Sequence, residues 1–126
     1  MKSADRPTVL IVEPDRQIRK EIFNFLLSDG YEKTEEADSL EAALDKVRQS
    51  AYEIVMVDAG ASLTVGMQFA ADLAGISPNT RIIFMINAED QQPWDQIAAQ
   101  SDKIRFLIKI DFARNLLYLL EEHSQQ

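Results

Sequence analysis

Short runs of consecutive apolar residues recur along the chain. They are rich in β-branched side chains, and between them apolar residues recur every three or four positions. The first pattern is typical of strands covered on both faces, and the second is typical of amphipathic helices. The predicted strands are 9–12, 54–57, 82–86 and 104–108, the last interrupted by Arg105.

Two apolar stripes with helical spacing predict helices whose apolar faces lie in the core. The first consists of Ile18, Ile22, Phe25 and Leu26. The second consists of Leu40, Ala43, Leu44 and Val47, after a capping signal formed by Asp38 and Glu41.

Further along the chain the helical patterns are shorter or less regular. The last stripe consists of Phe112, Leu116, Leu119 and Leu120, with Asp111 as its predicted N-cap. A shorter helix is predicted around 93–98, and the weakest helical pattern covers 68–73.

The order of these elements predicts the fold. Residues 31–37 occupy the position of a further strand, but their charged side chains suit only the edge of a sheet. Alternating strands and helices form right-handed βαβ units with helices on both faces of a parallel sheet. Five strands with the second at the edge predict a flavodoxin-like (βα)5 three-layer α/β sandwich of order 2-1-3-4-5.

Composition narrows the classes of protein. A chain of 126 residues with 46% hydrophobic content suits one domain, 1–126, either alone or as the N-terminal regulatory domain of a longer protein. The absence of cysteine excludes disulfides and thiolate sites. A formal charge of −8 argues against direct contact with nucleic acid, and no apolar run approaches the roughly 20 residues that cross a membrane. We therefore expect a cytoplasmic protein.

Polar side chains follow the predicted strands. Glu13 follows the first, Asp58 the third, Asn87 the fourth and Lys109 the fifth. The carboxyl ends of parallel strands meet at one edge, so these residues should converge there. Two acids, an amide and a lysine suit phosphoryl transfer to a carboxylate. The chain has no glycine-rich phosphate loop, no Gly-x-Ser-x-Gly and no metal-binding His pair, so we do not expect an enzyme.

The segment 9–19 resembles the opening of the receiver domains of two-component response regulators. Asp58 matches their phosphoacceptor, with Gly66 eight residues beyond it, and Lys109 matches the lysine that pairs with the phosphoryl group. Residues 85–88 match the strand that normally ends in Thr or Ser, and Phe106 lies where an aromatic switch residue is usual.

This resemblance implies the partners as well as the chemistry. It implies that Asp58 accepts a phosphoryl group from a histidine kinase or phosphotransfer protein. The signal would then pass to an output domain or partner protein, and pairing into a homodimer is a further expectation from the resemblance. It also implies Mg²⁺ at the acidic site, held by Glu13, Asp58 and the backbone carbonyl of Gly60.

The sequence departs from the family at this site. Pro14 stands where the second acid ligates magnesium, and proline offers no side-chain oxygen. Losing one carboxylate about 4 Å from a divalent cation lowers affinity by roughly a hundredfold or more, so we expect weak binding. Asp15 compensates only if the backbone is re-aimed.

Two further departures affect switching. Asn87 replaces the usual hydroxyl, and we expect it to serve as a structural hydrogen-bond partner of Asp58 rather than as a switch. Lys109 is followed by Ile110 where the family has proline after a bond that is commonly cis. A cis bond before a residue other than proline costs about 3 kcal/mol, so we expect a trans bond and a remodelled loop.

Three hypotheses follow. The first is a receiver domain in a two-component phosphorelay with Asp58 as phosphoacceptor. The second is a pseudo-receiver that acts as a phosphorylation-independent docking or dimerisation module. The third and most remote is a small flavodoxin-like binder of nucleotide or flavin, against which the lack of phosphate-loop glycines argues.

Overall fold

Strands and helices alternate along the chain in a computed structural model that describes residues 6–58, 63–87, 91–99, 101–108, 116 and 119–122. The strands are β1 (Val9–Val12), β2 (Thr34–Ala37), β3 (Ile54–Asp58), β4 (Arg81–Ile86) and β5 (Ile104–Ile108). The helices are α1 (Arg16–Ser28), α2 (Leu40–Gln49), α3 (Leu63–Ile76) and α4 (Gln91–Ala98). Leu116 and residues 119–122 are also helical.

The five strands form one parallel sheet in the order β2-β1-β3-β4-β5, which confirms the predicted flavodoxin-like order. Val12 of β1 pairs with Val57 of β3, and Val57 pairs with Phe84 of β4. The carboxyl ends of these three strands therefore lie side by side.

Side chains alternate between two cores, one on each face of the sheet. In β1, Leu10 and Val12 pack on the face covered by α2, α3 and α4, while Val9 and Ile11 pack on the face covered by α1. Leu116 and Leu120 are fully buried on the α1 face, as the last predicted stripe requires. Phe112 and Asp111 of that prediction lie outside the described residues.

The edge strand β2 is shorter than predicted. Residues 31–37 were expected to form it, but only Thr34–Ala37 pair with β1. Gly30 has a φ of +94°, a left-handed conformation that favours glycine, and it turns the chain after α1. Tyr31 then packs its ring into the core instead of extending the strand, and its carbonyl accepts a hydrogen bond from Thr34 Oγ1 at 2.7 Å.

The predicted core stripe of α1 is wrong at its first position. Ile22 and Leu26 are buried, whereas Ile18 is 44% exposed. Ile18 lies in the first turn of α1, which starts at the carboxyl edge of the sheet, so it extends past the surface that Ile22 covers. The helical period was correct, but periodicity does not tell where the sheet beneath a helix ends.

Two helix boundaries also differ from prediction. The N-cap of α2 is Ser39 rather than Asp38, because Ser39 Oγ accepts a hydrogen bond from the Ala42 amide at 3.0 Å. The weak pattern at 68–73 is the middle of the longer helix α3. Among the described residues, no helix combines the length and apolar character needed to cross a bilayer.

Arg105 interrupts the apolar run of β5, and its side chain forms hydrogen bonds outside the core. Its Nε donates to Glu122 Oε1 at 3.2 Å, and its Nη1 donates to the carbonyl of Asp102 at 3.2 Å. Glu122 lies in the helical segment 119–122, so this half-buried ion pair joins the edge strand to that segment.

Helix α4 is anchored by Trp94, which is 3% exposed. Its indole packs on Phe84 of β4 with ring centroids 4.5 Å apart and planes tilted by 39°. A Cβ placed on Gly66 of α3 would lie 2.7 Å from Cη2 of Trp94, closer than side chains approach one another. The missing side chain of Gly66 thus provides the space into which the indole fits.

This packing predicts opposite outcomes for two glycines of the same helix. Gly66→Ala should lower the free energy of unfolding, because overpacking costs about 1–3 kcal/mol and exceeds the gain in helix propensity. Gly75→Ala should raise it by up to about 1 kcal/mol, because nothing lies within 4 Å of the added Cβ. Urea unfolding measures both. Equal effects of the two substitutions would contradict the fit of Trp94 against Gly66.

Candidate functional site

The carboxyl edge of the sheet gathers most of the predicted site residues. Glu13 directly follows β1 and Asp58 ends β3, on strands whose preceding residues, Val12 and Val57, are paired. Neighbouring strands lie about 4.8 Å apart, so Glu13 and Asp58 are neighbours at this edge. Asn87 follows β4 directly. Lys109 and Gly60 lie outside the described residues.

Glu13 is 2% exposed and is held from three directions. Its amide donates to the carbonyl of Ala37 at 3.1 Å, and its own carbonyl accepts from Nη1 of Arg19 at 2.8 Å. Its carboxylate turns back on its own loop, where Oε2 accepts from the amide of Asp15 at 3.0 Å. At least one of its carboxylate oxygens is therefore already engaged within the loop.

Asp15 does not take the place of the missing second acid. It is the N-cap of α1, with an extended backbone at φ −79° and ψ 116°, and its Oδ1 accepts from the amide of Ile18 at 3.1 Å. An N-cap carboxylate stabilises a helix by about 1 kcal/mol by satisfying a free amide at its first turn. Re-aiming Asp15 towards a metal would require α1 to lose this cap.

A cluster of ion pairs lies beside the loop that joins β1 to α1, residues 13–15, which we call the acidic loop. Nε of Arg19 lies 3.1 Å from Oε1 of Glu36, and Nζ of Lys20 lies 2.8 Å from Oε2 of the same carboxylate. The side chains of Arg19 and Glu36 are only 13% and 19% exposed. Arg19 thereby links Glu36 in the edge strand to the carbonyl of Glu13.

Sequence reasoning missed this cluster. Arg19 and Lys20 read as a solvated basic face at the start of α1, and Glu36 as one of several edge-strand charges. The one available signal was the pairing of the first and second strands, which places residue 36 beside residue 11. Only the orientation of α1 over that edge shows that these charges meet.

The structure also describes the surroundings of three other predicted site residues, Asp58, Phe106 and Asn87. Asp58 is half-buried, and Phe106 of β5 is half-buried against the apolar cluster that contains Trp94. Asn87 is exposed, and its hydrogen bond to Asp58 stays a prediction. The trans bond expected before Ile110 lies outside those residues.

The acidic residues match a magnesium site only in part. Mg²⁺ is typically held by one or two carboxylates and several waters in near-octahedral geometry. Glu13 and Asp58 supply two carboxylates at one edge, while Pro14 and the capped Asp15 supply none. In the part of the chain that the structure describes, no group of three or more His, Cys, Asp or Glu is placed to hold a metal.

The sequence profile of the family described as "Response regulator receiver domain" matches residues 9–120. The chain belongs to this family. The match covers all five strands and α1 to α4, and it includes Glu13, Asp58, Asn87 and Lys109. No curated protein matches the sequence.

Solved structures agree with the family in fold. The receiver domain of NtrC4 from Aquifex aeolicus is 20% identical, with a TM-score of 0.74 over 99% of this chain and 98% of that one. The chemotaxis protein CheY4 of Vibrio cholerae is 22% identical, with a TM-score of 0.75 over 93% and 98%. A protein titled adenylate cyclase from Rhodopirellula baltica is 17% identical, with a TM-score of 0.77 over 95% and 88%.

Membership of the family sets the general role of this receiver domain. Receiver domains are signalling modules of two-component systems that are generally not enzymes, that interact with histidine kinases or phosphotransfer proteins and with output domains, and that typically bind Mg²⁺ at an acidic site. The departures at Pro14 and Asn87 therefore bear directly on how this member signals.

The charge cluster predicts a pH-dependent stability. Burial would raise the pKa of Glu36, but hydrogen bonds and charges from Lys20 and Arg19 outweigh burial and hold that pKa below its ordinary value of 4.5. Because folding lowers this pKa, the carboxylate stabilises the fold above about pH 4.5, and the contribution is lost as pH falls through the folded-state value.

Glu36→Gln should therefore lower the free energy of unfolding by about 1 kcal/mol near pH 7, and the difference from the native protein should shrink as pH falls below 4.5. Urea unfolding at a series of pH values measures this. Glu32→Gln, at an exposed position, is the matched control and should change little. A deficit of constant size at every pH would contradict an ionic role for Glu36.

The acidic loop predicts the effect of restoring an acid. Pro14→Asp should raise Mg²⁺ affinity by roughly a hundredfold, because it returns one carboxylate to the site. Pro14→Ala is the control that removes proline without adding an oxygen, and it should bind like the native protein. Calorimetric titration with MgCl₂ measures all three. An unchanged curve for Pro14→Asp would mean that another departure, such as the segment around Lys109, limits binding.

Proposed function

We propose that this receiver domain works as a pseudo-receiver, a protein-docking module whose signalling conformation does not depend on phosphorylation of Asp58. The observation that carries the proposal is the use of Asp15 as the N-cap of α1 beside Pro14. The loop after β1 thus offers a single buried carboxylate, Glu13, where receiver domains use two acids.

The chemistry of phosphoryl transfer supports this assignment. Transfer depends on positioning and on cations that neutralise the charge on the equatorial oxygens. With one carboxylate absent, Mg²⁺ affinity falls by roughly a hundredfold, so the site would be largely without its metal at ordinary concentrations. Glu13 leaves the site with one acid where the family has two, and its Oε2 accepts a hydrogen bond from the amide of Asp15.

The retained scaffold supports a docking role. Arg19 contacts both Glu36 of the edge strand and the carbonyl of Glu13, and Lys20 adds a second ion pair to Glu36. A loop that is braced in this way keeps its shape whether or not the site is occupied. On this proposal the partners are the output domain or a partner protein, and a second copy of the chain is a further candidate.

A second candidate function is phosphoryl acceptance by Asp58. The observation that favours it is the position of Asp58, half-buried at the end of β3 and beside Glu13 at the carboxyl edge. On this reading Lys109 pairs with the phosphoryl group, and Asn87 and Phe106 relay the change. No observation favours the flavin or nucleotide binder.

Intact mass after incubation with acetyl phosphate and MgCl₂ separates the two candidates. The native protein is compared with Pro14→Asp, with Asp58→Ala and with the double variant Pro14→Asp/Asp58→Ala. We expect no gain of one phosphate in the native protein. We expect a gain in Pro14→Asp that disappears in the double variant, because the restored acid returns the metal to Asp58.

The comparison of the native protein with Asp58→Ala decides between the candidates. A phosphate gained by the native protein and lost in Asp58→Ala would overturn the pseudo-receiver proposal and establish the phosphoacceptor. A gain that persists in Asp58→Ala would place the modification on another residue and would not count for either. Circular dichroism of each variant shows that the compared proteins are folded.

A further inference from the structure

We propose that Trp94 fixes helix α4 on the sheet, so that a change at Asp58 does not move α4. Trp94 is a positioning residue that acts through the packing of its indole against Gly66 and Phe84. The proposal holds whether or not Asp58 accepts a phosphoryl group, and its test does not rely on phosphorylation.

Helix α4 depends on one side chain for most of its packing on the sheet. The helix Gln91–Ala98 spans only eight residues. Trp94 is 3% exposed, and Ile97, one turn later, is half-buried on the same core. A helix this short has little stability of its own, so its position depends on its packing.

The indole of Trp94 fits into a space bordered by Gly66 and Phe84. Cη2 and Cζ2 of Trp94 lie 2.7 Å and 3.3 Å from the position that a Cβ on Gly66 would take. Cε1 of Phe84 lies 3.4 Å from the same Cβ position, and the ring centroid of Phe84 lies 4.5 Å from that of the indole. The indole thus touches both α3 and β4.

The contact between Trp94 and Phe84 lies close to the strand end that carries Asp58. Val57 pairs with Phe84, and Asp58 pairs with Met85 on the same strand. Phe84 also pairs with Phe106 of β5. The indole therefore stacks on the residue of β4 that stands between the strand ending in Asp58 and the strand carrying Phe106.

This packing has an energetic consequence for any movement of α4. Packed cores rearrange between discrete arrangements rather than deforming continuously. For α4 to slide or rotate, the indole must leave the space over Gly66 and lose its contact with Phe84. Asp58 pairs with Met85 and takes part in neither of these contacts, so we infer that α4 stays in place when Asp58 changes.

Chemical-shift mapping tests this inference with the full chain. Asp58→Asn perturbs the site by removing its charge, and backbone amide shifts are compared before and after the substitution. With Trp94 present, we expect shifts confined to the strand ends and adjoining loops. In a Trp94→Leu background we expect the same substitution to shift amides throughout α4 and β5 as well. Shifts that reach α4 equally in both backgrounds would overturn the proposal.

A second variant keeps the tryptophan and guards against loss of folding in Trp94→Leu. Gly66→Ala should push the indole out of its place, with a red-shifted emission from this sole tryptophan. Amide exchange in α4 should become about tenfold faster, the effect of losing about 1.4 kcal/mol of local stability. Gly75→Ala is the control and should leave both signals unchanged. An unaltered emission and exchange rate in Gly66→Ala would equally refute the role of Trp94.

Discussion

The middle strands β1, β3 and β4 are buried on both faces, so their backbone amides and carbonyls must pair with one another. Parallel pairing meets this requirement, and it obliges each connection to cross over the sheet through a helix. All strands then end at the same edge. That shared edge is why Glu13 and Asp58, 45 positions apart in the chain, become neighbours.

The acidic loop after β1 shows how one structural need competes with another. Helix α1 begins three residues after Glu13, and its first turn needs an acceptor for its free amides. Asp15 supplies that acceptor, and Pro14 lacks both an amide hydrogen and a side-chain oxygen. The loop is therefore well built for starting a helix, and it offers a divalent cation one carboxylate fewer than the two acids usual in the family. This balance is the physical basis for the proposed phosphorylation-independent role.

On the sheet face covered by α2, α3 and α4, the packing depends on a glycine, Gly66. Gly66 leaves room for the indole of Trp94, which joins α3, β4 and α4 in one contact. The resemblance at the sequence level marked Gly66 only by its distance from Asp58. The structure adds a packing reason, since a Cβ at residue 66 and a tryptophan at residue 94 do not fit together.

The sequence by itself determined the four apolar strands, the parallel order of the sheet and the residues that follow those strands, because burial on two faces leaves a run of apolar residues. The charged edge strand was predicted from its position, and its start was wrong. The sequence also identified the missing acid at Pro14, since a side chain without oxygen cannot ligate a metal in any fold. The cap at Ser39, the exposed Ile18 and the role of Asp15 were decided by tertiary structure. Each depends on where a helix starts over the sheet, and periodicity does not specify that position. The contacts of Arg19 with Glu36 and of Trp94 with Gly66 join residues 17 and 28 positions apart. Only the packing of separate elements brings such pairs within contact distance.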